Sequence, residues 1–143
     1  MSTPVPGSGE TDLVRLLSTL SPVVREGEYV FVTREAVERI DADALIHEDE
    51  GVTHLVRREV ADEMSWPYDF VAAWITLRVH SSLAGVGLTA AVSRALADAG
   101  ISCNMVAGYF HDHLLVPHDR ADEALAVLGR LSTAGATRPS VDG

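Results

Sequence analysis

Apolar and polar positions in the second half of the chain repeat first with the period of a strand and then with that of a helix. From Phe70 to His80 every odd position is apolar, while the even positions mix aromatic, small and polar residues. This pattern predicts a strand with one face against helices and the other face half exposed. From Leu88 to Ala99 apolar residues recur at helical spacing, and Gly100 predicts a left-handed end to that helix.

Two more strands and a helix follow. Alternation predicts a strand over Ile101–Tyr109, a turn at Phe110–His113 and a returning strand at Leu114–Val116. After Pro117, Asp119 can cap a last helix. Residues 70–131 therefore follow the order strand, helix, strand, strand, helix of a ferredoxin-like module without its closing strand. The missing strand has to come from elsewhere.

The first half offers a donor for that strand. Leucines at helical spacing after Thr11 or Asp12 predict a short helix that ends at Ser21-Pro22. The β-branched and aromatic stretch Glu28–Thr33, which follows Gly27, predicts a strand. If this strand closes the second module, the two halves are interlaced or share one continuous sheet.

A hairpin and a helix complete the first half. Asp49-Glu50-Gly51 predicts the turn between strands at Ala44–Glu48 and Val52–Arg57. A short helix over Glu59–Met64 follows. The stretch Arg34–Leu45 allows a helical turn or two but fixes nothing, so it is left as a connection. The acidic residues at the hairpin tip favour a solvated turn over a cation site.

These elements predict an α+β protein made of two tandem ferredoxin-like βαββαβ modules, with an antiparallel sheet and helices on one face. The length of 143 residues allows one domain or two small ones, and modules of about 60 residues each fit shared strands or dimerisation. Trp66-Pro67-Tyr68-Asp69 is the expected boundary between domains at 11–68 and 69–131. Disordered tails are expected at 1–10 and 132–143.

The composition of the chain excludes several classes of partner and enzyme. Residues 1–68 hold 14 acidic and 6 basic side chains and residues 69–143 hold 7 and 5, which makes the formal charge −10. Partners such as nucleic acid or a membrane surface are therefore not expected. All 11 basic residues are arginine, which excludes a Schiff-base lysine and a phosphate-loop lysine. One cysteine, no leader and no apolar span of membrane length predict a soluble, cytoplasmic protein.

Several strings carry a family resemblance. Leu83-Ala84-Gly85-Val86-Gly87-Leu88, the helix end Ala97-Asp98-Ala99-Gly100 and Ile101-Ser102 resemble the opening of an ACT domain. Trp66-Pro67-Tyr68-Asp69-Phe70, Val79-His80-Ser81-Ser82-Leu83 and Gly108-Tyr109-Phe110-His111-Asp112-His113 resemble a family of small bacterial tandem ACT-domain proteins of undefined function. Its second half is in turn similar to ACT modules of the cytosolic arginine sensor of animals. The resemblance covers residues 66–128 well and residues 11–65 more weakly, with Arg34–Asp43 divergent.

The resemblance implies a non-enzymatic regulatory protein, a homodimer without cofactor, that binds an amino acid or similar small molecule at a domain or subunit interface. ACT ligands typically lie between the strand-to-helix turn of one domain and a strand of its neighbour. This implies ligand-binding residues in the turn, namely Ser81, Ser82, Leu83, Gly85, Val86, Gly87 and Leu88, and on the strand, namely Ser102, Asn104, Met105 and Val106. Glycines let backbone groups approach a ligand, and a helix N-terminus favours a carboxylate. Alternatively, the glycines only allow the turn and Asn104 only satisfies an edge.

Other chemistries are weaker candidates. His111 and His113 share one face of an extended strand, but a metal site needs a third ligand from His118, His47 or Glu48, so a polar hairpin turn is favoured and no metal is predicted. Cys103 alternates with apolar residues and is expected to be buried rather than nucleophilic. No catalytic triad signature is present, so no catalytic residue is predicted.

Two interaction surfaces remain open. The alternative function is a protein–protein interaction module that uses the acidic first half and no small ligand. The even face of the central strand, with Phe70, Trp74 and Thr76, is the first place to look for an oligomer interface.

Overall fold

Six strands form one antiparallel sheet in the computed structural model, which describes residues 13–15, 17–78 and 85–137. The strands are β1 (Ser21–Arg34), β2 (Ala44–Glu48), β3 (Gly51–Arg57), β4 (Val71–Arg78), β5 (Asn104–Ala107) and β6 (Asp112–Pro117). Their order across the sheet is β2-β3-β1-β4-β6-β5. The helices are α1 (Arg58–Met64), α2 (Gly85–Asp98) and α3 (Ala121–Thr137), with a 3₁₀ turn at His118–Arg120 before α3. Residues 13–15 and 17–18 are also helical.

The long strand β1 joins the two halves. Its residues Tyr29–Arg34 pair with β3 of the first half. Its residues Ser21–Arg25, and then Tyr29 and Val30, pair with β4 of the second half. The first module therefore reads β4-β1-β3-β2 across the sheet and the second reads β1-β4-β6-β5. Each module's opening strand closes the other, which confirms that the early strand supplies the missing one and that the halves share a sheet.

Strand β1 is longer than the sequence pattern indicated. The pattern placed its start at Glu28, after Gly27, whereas the strand begins at Ser21. Gly27 has φ +108°, and the pairing with β4 shifts register between Arg25 and Tyr29. Gly27 therefore marks a bulge inside the strand rather than its end, because a bulge bends a strand while pairing continues on both sides.

The second module follows its predicted order with shifted bounds. Gly100 ends α2 with φ +71°, as predicted. Strand β5 is limited to four residues, and Ile101 is buried before it with its N–H bonded to Leu96 O at 2.9 Å. The hairpin turn lies at Gly108–His111 rather than Phe110–His113, closed by a bond from Gly108 N to His111 O of 2.8 Å. Helix α3 continues to Thr137, past residue 131.

The first module has no helix between its first two strands. Residues 35–43 are irregular, as the ambiguous sequence pattern left them. His54, fully buried on β3, fixes this connection because its Nε2 accepts a hydrogen bond of 3.1 Å from the Glu38 N–H. Its Nδ1 lies 3.0 Å from Val52 O and donates to it. Ile40 and Ala42 then pack on the core of this module.

Helices cover one face of the sheet. Ala73, Ile75 and Leu77 of β4, with Leu114 and Val116 of β6, pack on α2 and α3. Leu17 of the first helical segment and Leu20, which follows it, belong to the same cluster. The same face continues over the first module through Val30, Val32 and Val56, beneath Ala61 of α1 and Trp66. These two contiguous cores confirm the prediction of helices on one face.

The other face of the sheet is more buried than predicted. Ala72 and Trp74 on the even side of β4 are 0% and 4% exposed, although this side was expected to be half exposed. They pack with Tyr29, Leu55 and Leu115 in a cluster to which no helix contributes among the described residues. The bulge in β1 lets the sheet curl, and arginine side chains from neighbouring strands cover the rings. Trp74 is thus a core residue, not an exposed interface anchor.

Candidate functional site

The start of α2 is one half of the ligand site implied by the family resemblance. Gly85 and Val86 open this helix, and its first turn contains no acidic residue. Gly87 is half-buried, and a Cβ placed there would lie 3.3 Å from Leu13 Cδ1. Leu88 is 2% exposed and belongs to the core, which gives it a structural role. Ser81, Ser82 and Leu83 lie outside the described residues.

The strand half of the implied site divides in two. Ser102 and Asn104 are exposed, and Asn104 opens the edge strand β5 opposite Leu115. Met105 packs on the helix-side core and Val106 packs on the cluster around Trp74, so both have structural roles. Ser102 follows the C-terminal end of α2, and a helix of 14 residues is about 20 Å long. Ser102 therefore does not meet the start of α2 within one chain.

A polar cluster that the sequence did not predict lies on the helix-free face. The Trp74 Nε1–H donates to His113 Nδ1 at 3.1 Å, and Thr76 Oγ1 lies 3.0 Å from the same nitrogen. Because an indole N–H can only donate, Nδ1 must carry a lone pair and His113 is neutral with its proton on Nε2. Burial, the Arg25 charge and His111 lower the pKa of His113, against the opposing effect of Asp112.

Arg25 covers this cluster. Its guanidinium carbon lies 3.8 Å from the centroid of the Trp74 ring, and its Nη1 donates to Asp43 Oδ1 at 2.9 Å. Asp43 also donates its backbone N–H to Leu55 O at 2.8 Å. Arg25 therefore links the bulged strand β1, Trp74 and Asp43 at the end of the first module's irregular connection.

The β5–β6 hairpin tip lies at the end of the sheet where β4 ends, since Leu77 near the end of β4 pairs with Asp112 at the start of β6. Tyr109 and Phe110 at this tip are 96% and 83% exposed and form an edge-to-face pair with centroids 4.9 Å apart. Exposed paired rings of this kind are typical of interaction surfaces.

The described histidines do not assemble with other described ligands. Nδ1 of His113 is occupied by Trp74 and Thr76, and Nδ1 of His118 lies 3.9 Å from Glu28 Oε2. Glu48, at the exposed acidic turn, accepts a hydrogen bond from Thr53. Within residues 13–15, 17–78 and 85–137, no three histidine, cysteine or acidic side chains are placed to hold a metal ion.

Cys103 is half-buried against the helix-side core. Burial raises the pKa of its thiol, so the neutral form is favoured at neutral pH. A protonated, half-buried thiol fits a packing role rather than that of a nucleophile.

Comparison with known proteins places this architecture in a family. ACT-domain family models match residues 8–73 and 70–130. A crystal structure of a Vibrio cholerae protein of unknown function, described as a possible transport protein, is 38% identical and covers 87% of this chain and 99% of its own, with a TM-score of 0.81. The chain belongs to the ACT-domain family. It is a tandem ACT protein whose two domains exchange their opening strands.

More distant structures share the tandem ACT fold. A protein from Agrobacterium tumefaciens matches with 19% identity and a TM-score of 0.63, covering 79% of this chain and 89% of its own. The ligand-free regulatory subunit of aspartate kinase from Thermus thermophilus matches with 11% identity and a TM-score of 0.58, covering 77% and 95%. The comparison with curated protein sequences gives no match. Among the described helices of this tandem ACT protein, none combines the length and apolarity needed to cross a membrane.

Proposed function

We propose that this tandem ACT protein is a non-enzymatic regulatory protein that binds an amino acid or similar small molecule at an interface between ACT modules or subunits. The observation that carries the proposal is the exchange of β1 and β4 between the modules. Because each module is closed by a strand of the other, a ligand that shifts one module changes how both pack. The regulatory subunit of aspartate kinase, which shares the fold, supports this role.

The separation of the two halves of the implied site favours a site formed between two copies of the chain. Asn104 lies on the open edge strand β5 and Ser102 lies just before it. The backbone N–H groups of Gly85 and Val86 lie at the start of α2. A homodimer in which the β5 edge of one subunit faces α2 of the other brings the halves together and covers the open edge. In such a site the α2 amides bind the ligand carboxylate, and Asn104 binds a second polar group.

A role without catalysis fits the placement of the most buried potential bases. His54 is held on both ring nitrogens by backbone groups, and His113 uses its lone pair to accept from Trp74. Both imidazoles therefore serve structural hydrogen bonds instead of facing a substrate.

A thermal-shift panel of the protein amino acids at millimolar concentration tests the proposal. A ligand at 100 times its Kd adds about 2.7 kcal/mol, a rise in Tm of about 10 °C for a chain of this size. Asn104→Ala should reduce that rise. Ser93→Ala, at an exposed position on α2, is the matched control and should leave it unchanged. No shift with any amino acid would contradict the proposed function.

A further inference from the structure

A charged groove lies at the junction of the two modules, away from α2 and β5. It has a volume of about 540 Å³, which is in the range of small-molecule sites. The bulge of β1, the junction of β3 with α1 and the 3₁₀ turn after β6 form its walls. The lining residues are Glu26, Gly27, Glu28, Arg57, Arg58, Glu59, Asp62 and His118. Because both modules contribute walls, a molecule bound here contacts the point where they join.

One cation in this groove, the Arg57 guanidinium, has no anionic partner among the described residues. The Arg57 guanidinium makes no hydrogen bond or ion pair with any residue that the structure describes, and it stacks on Tyr29 with its carbon 5.5 Å from the ring centroid. That ring is fully buried, and its hydroxyl donates to Glu26 O at 2.9 Å, so the platform is fixed. A Cβ at Gly27 would lie 2.8 Å from Arg57 Nη1. The missing side chain of Gly27 thus leaves the space that the guanidinium occupies.

The other guanidinium in the groove, that of Arg58, already has partners. Arg58 Nη1 donates to Glu28 Oε2 at 3.0 Å and its Nε donates to Tyr68 OH at 2.8 Å. Tyr68 in turn donates to Asp62 Oδ1 at 2.6 Å. These bonds satisfy two of the four carboxylates that line the groove and hold the wall of α1 in place.

Two carboxylates remain for a ligand. Glu26 and Glu59 are exposed, and their side chains have no hydrogen-bonding or ionic partner among the described residues. The groove therefore offers one free guanidinium, which binds a carboxylate through two parallel bonds, and two free carboxylates, which bind an ammonium group. With four carboxylates against two guanidinium groups, it disfavours a ligand with a net negative charge.

We propose that this groove binds a small zwitterion, the chemical class of the free α-amino acids, with the ligand carboxylate on Arg57 and its ammonium group between Glu26 and Glu59. Neutral and basic amino acids fit, and acidic ones are disfavoured. The inference rests on the proposed function, because it assumes that this protein binds an amino acid, and it names a location other than the start of α2 and β5.

Calorimetric titration of the full chain tests the groove. The probes are L-alanine, L-lysine and L-glutamate, with N-acetyl-alanine and alanine amide as analogues that lack the ammonium or the carboxylate. Alanine or lysine is expected to bind, and glutamate and both analogues to bind at least about tenfold more weakly, since each loses a charged hydrogen bond or adds repulsion. Equal binding of either analogue would overturn the proposal.

Variants locate the site. Arg57→Gln and Glu59→Gln should each weaken binding about tenfold or more. The matched control is Arg39→Gln, which removes an exposed arginine outside the groove and should bind like the wild type. Circular dichroism checks folding, and Glu59 lies on an exposed position of α1, so its variant retains the test if Arg57→Gln unfolds.

The outcomes separate this inference from the proposed function. If Asn104→Ala abolishes binding while both groove variants bind normally, the proposed function stands and the groove is not the site. If the wild type binds none of the three amino acids at millimolar concentration, the groove proposal is overturned, and the proposed function fails for these ligands as well.

Discussion

Replacing His54 by alanine should destabilise the protein strongly, because this buried imidazole holds the irregular connection of the first module. The side chain is 0% exposed, accepts from the Glu38 N–H at 3.1 Å and donates to Val52 O at 3.0 Å. Two lost hydrogen bonds contribute about 1 kcal/mol each, and the vacated volume adds about 1 kcal/mol or more. The expected loss in the free energy of unfolding is about 3 kcal/mol, or about 10 °C in Tm.

Urea denaturation followed by circular dichroism measures this loss. His47→Ala is the matched control, because His47 is an exposed histidine on the neighbouring strand β2 and its loss should change stability by less than about 0.5 kcal/mol. His54→Leu separates packing from hydrogen bonding, since it fills the space but leaves the Glu38 N–H without its partner; it should still destabilise. If His54→Ala lowers the free energy of unfolding no more than His47→Ala does, the imidazole does not fix the connection.

Three further predictions concern the hairpin, the polar cluster and the shared sheet. Gly108→Ala should lower the free energy of unfolding in urea by about 1–3 kcal/mol, because its Cβ would lie 2.8 Å from His113 Nε2 and 2.9 Å from His111 O. Gly129→Ala has open space around its Cβ and should instead stabilise α3 by about 0.5–1 kcal/mol. The reverse order of stabilities would contradict the hairpin geometry. Because the pKa of His113 is lowered in the folded protein, the unfolded chain binds a proton on this imidazole more readily. The free energy of unfolding should therefore fall as the pH drops from about 6.5 through the lower pKa of the folded state. His113→Gln should lack this part of the pH dependence, and identical pH profiles of variant and wild type would contradict the prediction. A fragment of residues 69–137 should be unfolded by circular dichroism because it lacks β1, and a folded fragment would show that the exchanged strand is dispensable.

The elements set by local periodicity could be predicted from the sequence. The alternation of β4, the helical spacing of α2 and the Asp49-Glu50 hairpin turn each involve residues close in the chain, and the structure confirms them. The need for a donated strand also followed from counting elements, because the second module had five of its six.

What the sequence left open depends on contacts between distant residues. Gly27 was interpreted as a boundary, but pairing of Pro22 with Leu77 continues the strand beyond it. Trp74 was expected to be half exposed, because nothing local shows that Arg25 stacks on its ring. One signal was available: Val52, His54 and Val56 alternate on one face of β3, which places the histidine in a row of buried residues.

The two candidate sites also differ in how far each could be predicted from local sequence. The opening of α2 was marked by its glycines, whereas the junction groove joins residues 26–28, 57–59, 62 and 118, which only the folded sheet brings together. The division into domains at 68/69 and the eleven implied ligand-binding residues stay predictions.

The most direct test of the central claim, that this tandem ACT protein binds an amino acid, is a titration of the ¹⁵N-labelled chain with each protein amino acid at millimolar concentration, followed by two-dimensional NMR. Saturable shifts are expected for at least one amino acid, concentrated either at the junction groove or at the start of α2 and β5. Spectra unchanged by every amino acid would contradict it.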